Sequence, residues 1–316
     1  MRIIYAASGE FAVPALRSLL DAGYDIPFVL TQPDRGAGRG RKVRPTPVRE
    51  AAERLGVEVI PTPDINAPEM CQRVSASGAR VGVTTAFGQK MGPEILAALP
   101  GGWVNIHASL LPAYRGAAPF QRAVLDGCEE TGVTVFRLVE RMDAGPVLVT
   151  RRTAVRPEET ADELHDRLAA IGCDAIKAAL PLFEHEIPDG TPQDESQATR
   201  APKLRKEDGV VDFNRPAVEV AAHICGMWSW PGATCRFVAA DGQRSEPVIL
   251  ARARVVEAPG PPGDSLSPGR IDDRLYVATA DSFIELLEIK PQAGRVMPWP
   301  DFVNGRHVRP GDRFEA

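Results

Sequence analysis

The sequence predicts an α/β fold, in which a mostly parallel sheet with helices on both faces is followed by a small β-barrel domain. Strand-like apolar runs alternate with amphipathic helical runs over the first half of the chain. Short strand-like runs separated by Pro- and Gly-rich turns fill the last third. The length of 316 residues suits two domains, at about 100–200 residues per domain.

The elements of the first part follow one another in βα order. The predicted strands cover residues 3–7, 26–30, 57–60, 81–85, 103–107, 133–137 and 147–150. The predicted helices cover residues 10–20, 48–55, 70–77, 117–125 and 160–183. Strands that alternate with helices in this way form a mostly parallel sheet, because each helix returns the chain to the same edge.

A change in composition predicts the domain boundary. Residues 187–206 are rich in Pro, Asp, Gln and Thr and lack hydrophobic periodicity, which is typical of a linker. We therefore expect a first domain over residues 1–186 and a second over residues 207–316. The second domain is predicted to contain one helix over 217–227 and strands over 234–238, 248–256, 275–278 and 283–289.

Composition narrows the possible functions. The net charge of −5 argues against a generic nucleic-acid binder, so any such contact needs a local basic patch. The five cysteines are scattered and never form C-x-x-C, which argues against a disulfide framework and a structural zinc site and favours small buried side chains. No apolar run approaches the roughly 20 residues of a membrane helix, and the chain opens on a strand-like run. We expect a cytoplasmic monomer that does not contact membranes.

A pair of polar residues ends the strand over 103–107. Asn105 and His107 are two residues apart, so they face the same side of the strand. In an open α/β sheet, ligands bind at the carboxyl ends of the strands. The pair is therefore a candidate site, although a buried, hydrogen-bonded histidine would explain it equally well.

Two flanking segments favour a functional site. Directly after the strand come Ser109, Leu110, Leu111 and Pro112. Further along, Asp143-Ala144-Gly145 forms a predicted tight turn between two strands. Asn-x-His-x-Ser-Leu-Leu-Pro with a downstream Asp-x-Gly resembles the folate-dependent formyltransferase family. Without that resemblance, Asp143 would be interpreted as a turn residue only.

The resemblance implies three catalytic residues. When an amine attacks a formyl carbon, an oxyanion develops and the amine loses a proton. An Asn amide that donates to the oxyanion contributes up to about 3–4 kcal/mol. An imidazole exchanges protons near neutrality, and a neighbouring carboxylate stabilises the imidazolium. Asn105 and His107 are thus expected to stabilise the oxyanion, with His107 also in proton transfer and Asp143 tuning it. The amine is itself the nucleophile, so no protein nucleophile is expected.

A basic loop follows the second strand. Its basic residues are Arg35, Arg39, Arg41, Lys42 and Arg44, against one acid, Asp34. Such a loop suits a phosphate backbone, although taken alone it could be a solvated surface loop. Its glycines do not form the G-x-G-x-x-G pattern of dinucleotide-binding loops.

This loop resembles the tRNA-contacting loop in the branch of the family that formylates methionyl-tRNA. The run 115–121, the run 203–213 and Trp230-Pro231-Gly232 are also similar to that branch. The resemblance covers nearly the whole chain and implies a Rossmann-like catalytic domain and an OB-like tRNA-binding domain. The expected tRNA contacts are Arg35, Arg39, Arg41, Lys42, Lys203 and Lys206.

The resemblance also implies the substrates. Formyl would pass from 10-formyltetrahydrofolate to the α-amino group of methionyl initiator tRNA, without a metal or nicotinamide. Ser109, Leu110, Leu111 and Pro112 would lie along the folate. The backbone of Ala86, Phe87, Gly88 and Gln89 would approach the pterin.

Three alternatives remain. A sugar-nucleotide formyltransferase shares the donor motif and uses an amino sugar as acceptor. A 10-formyltetrahydrofolate hydrolase would use water, and an inactive tRNA-binding protein would use no acceptor. The sequence also departs from the family at Ala7-Ser8-Gly9, where a Gly-Thr-Pro turn is usual; Ser8 is still expected to cap the following helix.

Overall fold

A computed structural model describes residues 1–37, 42–256 and 267–316. The chain forms two compact units. Unit 1 comprises Met1–Pro119, Gly132–Thr153 and His165–Ala201, and unit 2 comprises Phe120–Thr131, Ala154–Leu164 and Pro202–Ala316. Two short segments that precede residue 165 therefore belong to the second unit.

The first 201 residues contain eleven strands and six α-helices in the described ranges. The strands are β1 (Ile3–Ala7), β2 (Phe28–Thr31), β3 (Arg35–Ala37), β4 (Lys42–Arg44), β5 (Glu58–Pro61), β6 (Val81–Thr85), β7 (Trp103–His107), β8 (Arg115–Gly116), β9 (Glu130–Arg137), β10 (Val147–Ala154) and β11 (Arg200–Ala201). The helices are α1 (Val13–Asp21), α2 (Pro47–Arg54), α3 (Pro68–Ser75), α4 (Pro93–Ala97), α5 (Pro119–Leu125) and α6 (Ala161–Ala179).

Seven of these strands form the central sheet. Their order is β10-β9-β7-β6-β1-β2-β5. Strands β5, β2, β1, β6 and β7 are parallel to their neighbours, whereas β9 pairs with β7 in the antiparallel sense. The predicted mostly parallel sheet is confirmed, and β7 lies between a parallel and an antiparallel neighbour.

Both faces of the sheet are covered. On one face, Ile4 and Leu30 share a buried cluster with Met70 of α3 and Ile95 of α4. On the other face, Tyr5 is fully buried and donates its hydroxyl hydrogen to the carbonyl of Ala12, which precedes α1. Strand residues buried on alternating faces explain the continuous apolar runs in the sequence.

Local sequence signals explain where several helices begin. The Thr46 hydroxyl accepts a hydrogen bond from the Arg49 amide, and proline occupies the first position of α2. At the start of α6, Thr160 and Glu163 form reciprocal side-chain and backbone hydrogen bonds, which is a capping box. A 3-10 turn over Leu180–Phe183 extends α6 to the predicted end of that helix.

The end of the chain forms an antiparallel sheet that curls into a nearly closed barrel. Its elements are α7 (Ala217–Met227), β12 (Ala233–Val238), β13 (Ser245–Val256), β14 (Val277–Ala278), β15 (Phe283–Pro291), β16 (Met297–Pro298), α8 (Trp299–Arg306) and β17 (Arg313–Glu315). The sheet order is β14-β15-β13-β12-β17, and β16 pairs with β15. The predicted small barrel domain is confirmed.

A register shift in β13 distinguishes this sheet from a regular ladder. The shift lies between Leu250 and Ala253, opposite β15. At this irregularity Arg252 forms ion pairs with Glu163 and Glu288, at 2.6 and 3.1 Å. A bulge changes the direction of one side chain relative to its neighbours on the strand, which allows Arg252 to contact both carboxylates.

Candidate active site

The polar end of β7 is where the predicted site residues meet. Asn105 lies opposite Thr84 of β6 and Phe136 of β9, and His107 lies opposite Thr134 of β9. The side chain of His107 is 6% exposed. Because side chains alternate along a strand, those of Asn105 and His107 point to the same face of the sheet. Both residues belong to unit 1.

Polar groups face both ring nitrogens of His107. Nε2 lies 2.9 Å from the carbonyl oxygen of Tyr114, which can only accept, so Nε2 carries a hydrogen. Nδ1 lies 3.9 Å from Oδ2 of Asp143. In the neutral ring, Nδ1 is therefore the nitrogen with the free lone pair. A proton added there would point towards the carboxylate, so this arrangement accommodates an imidazolium.

Asp143 occupies a turn whose backbone is constrained. Its φ of 52° lies in the left-handed region, which non-glycine residues rarely adopt. Oδ2 accepts a hydrogen bond of 2.8 Å from the amide of Gly116. A Cβ on Gly145 would lie 1.7 Å from the carbonyl oxygen of Arg137, so only glycine fits there. The Asp-x-Gly pattern therefore has two explanations: the turn requires glycine at position 145, and the candidate site uses the carboxylate of Asp143.

The side chain of Asn105 is free to bind a ligand. It is half-buried, and within the described ranges no residue hydrogen-bonds to its amide. A buried structural asparagine normally has such partners. The amide can therefore offer two N–H donors next to His107.

The segment after β7 forms a fixed turn. Ser109 is fully buried and its hydroxyl donates to the carbonyl of Ala113 at 2.6 Å. The hydroxyl of Thr134 donates to the Ser109 carbonyl and accepts from the Leu111 amide, at 2.7 and 3.1 Å. Leu110, Leu111 and Pro112 are half-buried. Any contact of this turn with a ligand would therefore come from these three residues, because the Ser109 side chain is committed.

The loop after β6 offers mainly backbone. Ala86 and Gly88 are exposed, with φ values of 45° and 79°, whereas Phe87 is buried. The Gln32 side chain donates to the Phe87 carbonyl at 3.0 Å. The amide of Gln89 is occupied, because it accepts from the Ile65 amide and donates to the Thr62 carbonyl. Ala86 and Gly88 are therefore the two exposed positions of the four.

The expectation for Ser8 is wrong. The 3-10 turn before α1 begins after Gly9, and no side chain caps it. The Ser8 hydroxyl instead accepts a hydrogen bond of 3.0 Å from the backbone N–H of Gln32. It also lies 3.4 Å from the carbonyl oxygen of Phe87. This serine joins the ends of β1, β2 and β6, which a one-dimensional capping pattern could not reveal.

The two described ends of the basic loop pair with each other. Strands β3 and β4 pair in the antiparallel sense, with the backbone of Arg35 opposite Arg44 and Ala37 opposite Lys42. Arg39 and Arg41 lie outside the described residues. In unit 2, Lys203 and Lys206 are exposed, and Lys206 begins a 3-10 turn.

Sequence reasoning missed residues that support the site from the segment predicted to be a linker. The hydroxyl of Thr199 accepts from the Tyr114 amide at 2.8 Å, and the Thr199 carbonyl accepts from the Arg115 amide. Gln193 and Glu195 bind the guanidinium of Arg115. The strand β11 pairs with β8 in parallel. The only signal of these contacts was the polar composition, which a solvated linker shares.

Within the described ranges, neither a metal site nor a membrane-spanning helix is found. These ranges contain no group of three or more His, Cys, Asp or Glu side chains that could hold a metal ion. No helix in the described part of the chain is long and apolar enough to cross a membrane. The five cysteines all have free thiols.

The sheet, the barrel and the polar end of β7 define a two-domain α/β enzyme of the kind that transfers formyl groups. Residues 1–180 match the family model described as formyl transferase, and residues 203–307 match that of the formyl transferase C-terminal domain. The chain therefore belongs to the formyl transferase family.

Close relatives span the whole chain. It is 39% identical to the methionyl-tRNA formyltransferase of Heliobacterium modesticaldum, over 99% of this chain and 100% of the relative. It is 38% identical to that of Methylobacterium sp. (strain 4-46), over 99% of each chain. The similarity thus includes both units and the segment between the two family matches.

Solved structures share the fold at lower identity. HypX from Aquifex aeolicus in complex with tetrahydrofolic acid aligns at a TM-score of 0.59 and 18% identity, covering 96% of this chain and 47% of that chain. An N-formyltransferase from Helicobacter canadensis, in complex with folinic acid and dTDP-3-aminofucose, aligns at 0.64 and 14%, covering 92% and 98%. At these identities the likeness concerns the fold alone.

Proposed function

We propose that this protein transfers the formyl group of 10-formyltetrahydrofolate to the α-amino group of methionyl initiator tRNA. The product is N-formylmethionyl-tRNA, which serves translation initiation. The observation that carries the proposal is the meeting of Asn105, His107 and Asp143 at the end of β7. The full-length similarity to methionyl-tRNA formyltransferases supports the choice of acceptor.

The three side chains have the properties that the reaction needs. The amine nitrogen forms a bond to the formyl carbon, and the bond from that carbon to N10 of the folate breaks. The Asn105 amide, which has no hydrogen-bond partner among the described residues, donates to the oxygen on which negative charge develops. The amine loses one proton and N10 gains one, and Nδ1 of His107 can hold a proton between these two events. Asp143 stabilises the imidazolium formed in that interval.

The donor would lie along two loops of unit 1. The half-buried Leu110, Leu111 and Pro112 offer apolar surface, and the Ala86 and Gly88 backbone offers hydrogen-bonding groups. Bonds to Gln32 and Ser8 hold the second loop in place, so its exposed backbone is arranged before the folate binds. We propose Ser109, Phe87 and Gln89 as supports of these loops.

The acceptor would be held by basic residues of both domains. We assign this role to Arg35, Arg39, Arg41 and Lys42 of the basic loop and to Lys203 and Lys206 at the start of the second domain. The proposed domains are residues 1–186 for catalysis and 207–316 for tRNA binding, joined by 187–206. Phosphate contacts add affinity without adding base specificity. We further propose that the protein works as a cytoplasmic monomer.

An acceptor panel tests the proposal. The protein is incubated with 10-formyltetrahydrofolate and, separately, methionyl initiator tRNA, a UDP-amino-sugar or no acceptor. We expect formylation of methionyl-tRNA and little turnover in the other two reactions. Formylation of the sugar alone would indicate a sugar-nucleotide formyltransferase, and turnover without any acceptor would indicate a hydrolase. Either result contradicts the proposal.

A further inference from the structure

One side chain from outside the catalytic segments binds the Asp143 turn directly. The amide nitrogen Nε2 of Gln193 donates to the carbonyl of Asp143 at 2.8 Å and to the carbonyl of Gly145 at 2.7 Å. It therefore contacts the backbone on both sides of Ala144. The contact spans about fifty positions of sequence, and no motif marks it.

The other end of the same amide is equally occupied. Oε1 of Gln193 accepts from Nε and from the terminal NH2 group of Arg115, at 3.1 and 2.7 Å. An amide has two N–H donors and two acceptor lone pairs, and here all four are used. The partners also fix its orientation, because a guanidinium only donates and backbone carbonyls only accept.

Arg115 is itself fixed. The residue is 9% exposed, and the carboxylate of Glu195 accepts from both terminal nitrogens of its guanidinium, at 3.1 and 2.9 Å. These hydrogen bonds from Arg115 lower the pKa of Glu195. The next residue, Gly116, donates its amide hydrogen to Oδ2 of Asp143. Arg115-Gly116 and the Asp143 turn are thus joined twice, once through Gln193 and once through the carboxylate.

We propose that Gln193 is a positioning residue that sets the distance between Asp143 and His107. The backbone of Asp143 lies in the left-handed region, with φ at 52°, which non-glycine residues rarely adopt. The two hydrogen bonds from Nε2 hold that conformation, and they keep the carboxylate facing Nδ1 of His107. Gln193 thus acts on the reaction through Asp143. This inference rests on the proposed function for its kinetic consequences, but its geometric consequence is independent of any substrate.

The substitution Gln193→Glu tests the role with almost no change in shape. In this variant one carboxylate oxygen still accepts from Arg115. The other oxygen replaces Nε2, faces the carbonyls of Asp143 and Gly145, and has no hydrogen to donate to them. We expect kcat to fall about 10- to 100-fold, because a displacement of about 1 Å can cost that much. The KM for 10-formyltetrahydrofolate should change less than about twofold. Gln197→Glu is the matched control, since Gln197 is exposed and bonds to Asp194 in the same segment.

A double-mutant cycle separates positioning from general stability. In an Asp143→Asn background, Gln193→Glu should change kcat by less than about twofold, because the group on which Gln193 acts has already been altered. An equal loss in both backgrounds, or a single variant with near-wild-type kcat, would overturn the proposal.

A spectroscopic measurement keeps the test independent of the reaction. Nitrogen NMR of ring-labelled histidines, with His107 assigned from its absence in His107→Gln, reports on the surroundings of Nδ1. The His107 signals should shift in Gln193→Glu and in Asp143→Asn but not in Gln197→Glu. Unchanged signals in Gln193→Glu would refute the positioning role even if the wild-type protein formylated no acceptor. Failure of the acceptor panel with shifted signals would contradict only the proposed function.

Discussion

Each of the two units contains a histidine with at least one ring nitrogen shielded from solvent, and the two rings are surrounded by very different groups. In unit 1, His107 has a carbonyl at one ring nitrogen and a carboxylate facing the other. In unit 2, Nε2 of His223 is buried and has no hydrogen-bond partner in the described ranges. Burial lowers the pKa of His223, and nearby Arg215 lowers it further, against opposing contributions from the Gly209 backbone and Asp208.

The two rings differ in the polar groups that surround their nitrogens. Taking up a proton inside a protein requires a partner for the new N–H and a negative charge nearby. A proton on Nδ1 of His107 would face the Asp143 carboxylate, whereas a proton on Nε2 of His223 would have no acceptor in the described ranges. The polar groups around the ring therefore distinguish a candidate catalytic histidine from a structural one.

Removing the negative charge should make His107 resemble His223. In Asp143→Asn the amide can still accept from Gly116, but it no longer stabilises an imidazolium. We expect kcat to fall about 10³- to 10⁴-fold with little change in stability. Steady-state formylation of methionyl-tRNA and thermal unfolding measure the two effects.

A second His–Asp pair in unit 1 provides the control. His165 and Asp166 contact each other at 2.9 Å on the surface, where the Asp166 side chain is 85% exposed. Asp166→Asn should leave kcat unchanged. If Asp143→Asn retained near-wild-type kcat, the carboxylate would have no part in the reaction.

The next largest effect should come from Asn105. Replacement by Ala removes an amide that has no structural partner in the described part of the chain, so folding should be almost unaffected. We expect kcat to fall about 10²- to 10³-fold, as for other lost donors to an oxyanion. Asn214→Ala, at an exposed turn of unit 2, is the control. If Asn105→Ala lowered the unfolding midpoint as well as kcat, Asn105 would support the fold.

The features predicted correctly from the sequence depend on local patterns. The alternation that places Asn105 beside His107 extends over five residues, and the predicted helix over 217–227 coincides with α7. These signals are read from neighbouring residues, and they define elements rather than contacts.

The features missed from the sequence are contacts between distant segments. Gln193 and Thr199 lie in a stretch whose composition is typical of a linker, and only the folded chain brings them to Asp143 and Tyr114. Ser8 was expected to cap a helix, but the adjacent strands offer its hydroxyl better-placed partners. Short elements such as α4 and α8 were also missed, since five to eight residues show little periodicity.

In unit 2, the partly buried guanidinium of Arg252 is stabilised by ion pairs. Arg252 binds Glu163, Glu288 and the carbonyl of Glu158. Arg252→Met should lower the free energy of unfolding by about 1–2 kcal/mol while keeping the packing of the side-chain stem. Urea unfolding followed by tryptophan fluorescence measures this, because Trp228, Trp230 and Trp299 lie in unit 2. An unchanged midpoint would show that the pairs contribute nothing.

At acidic pH, the difference in unfolding free energy between Arg252→Met and the wild type should become smaller. The hydrogen bond from Arg252 lowers the pKa of Glu163 from its usual value of 4.5. The pair therefore contributes fully above pH 4.5, and its contribution is lost as the pH falls through the lower pKa of the folded state. Midpoints of wild type and Arg252→Met should converge at the acidic end of a pH series. A constant difference would exclude Glu163 as the source.

The smallest effect should come from His223 and depends on pH. Because its pKa is lowered from 6.5 in the folded state, the unfolded chain takes up the proton first as the pH falls. The folded state therefore loses stability below about pH 6.5, and the loss is complete only below the folded pKa. His223→Gln removes this loss, so its urea midpoint should fall less between pH 7.5 and 5.5 than that of the wild type. His185→Gln, at an exposed position, should behave as the wild type does. If His223→Gln showed the full wild-type decrease, His223 would not resist protonation, and the contrast with His107 would fail.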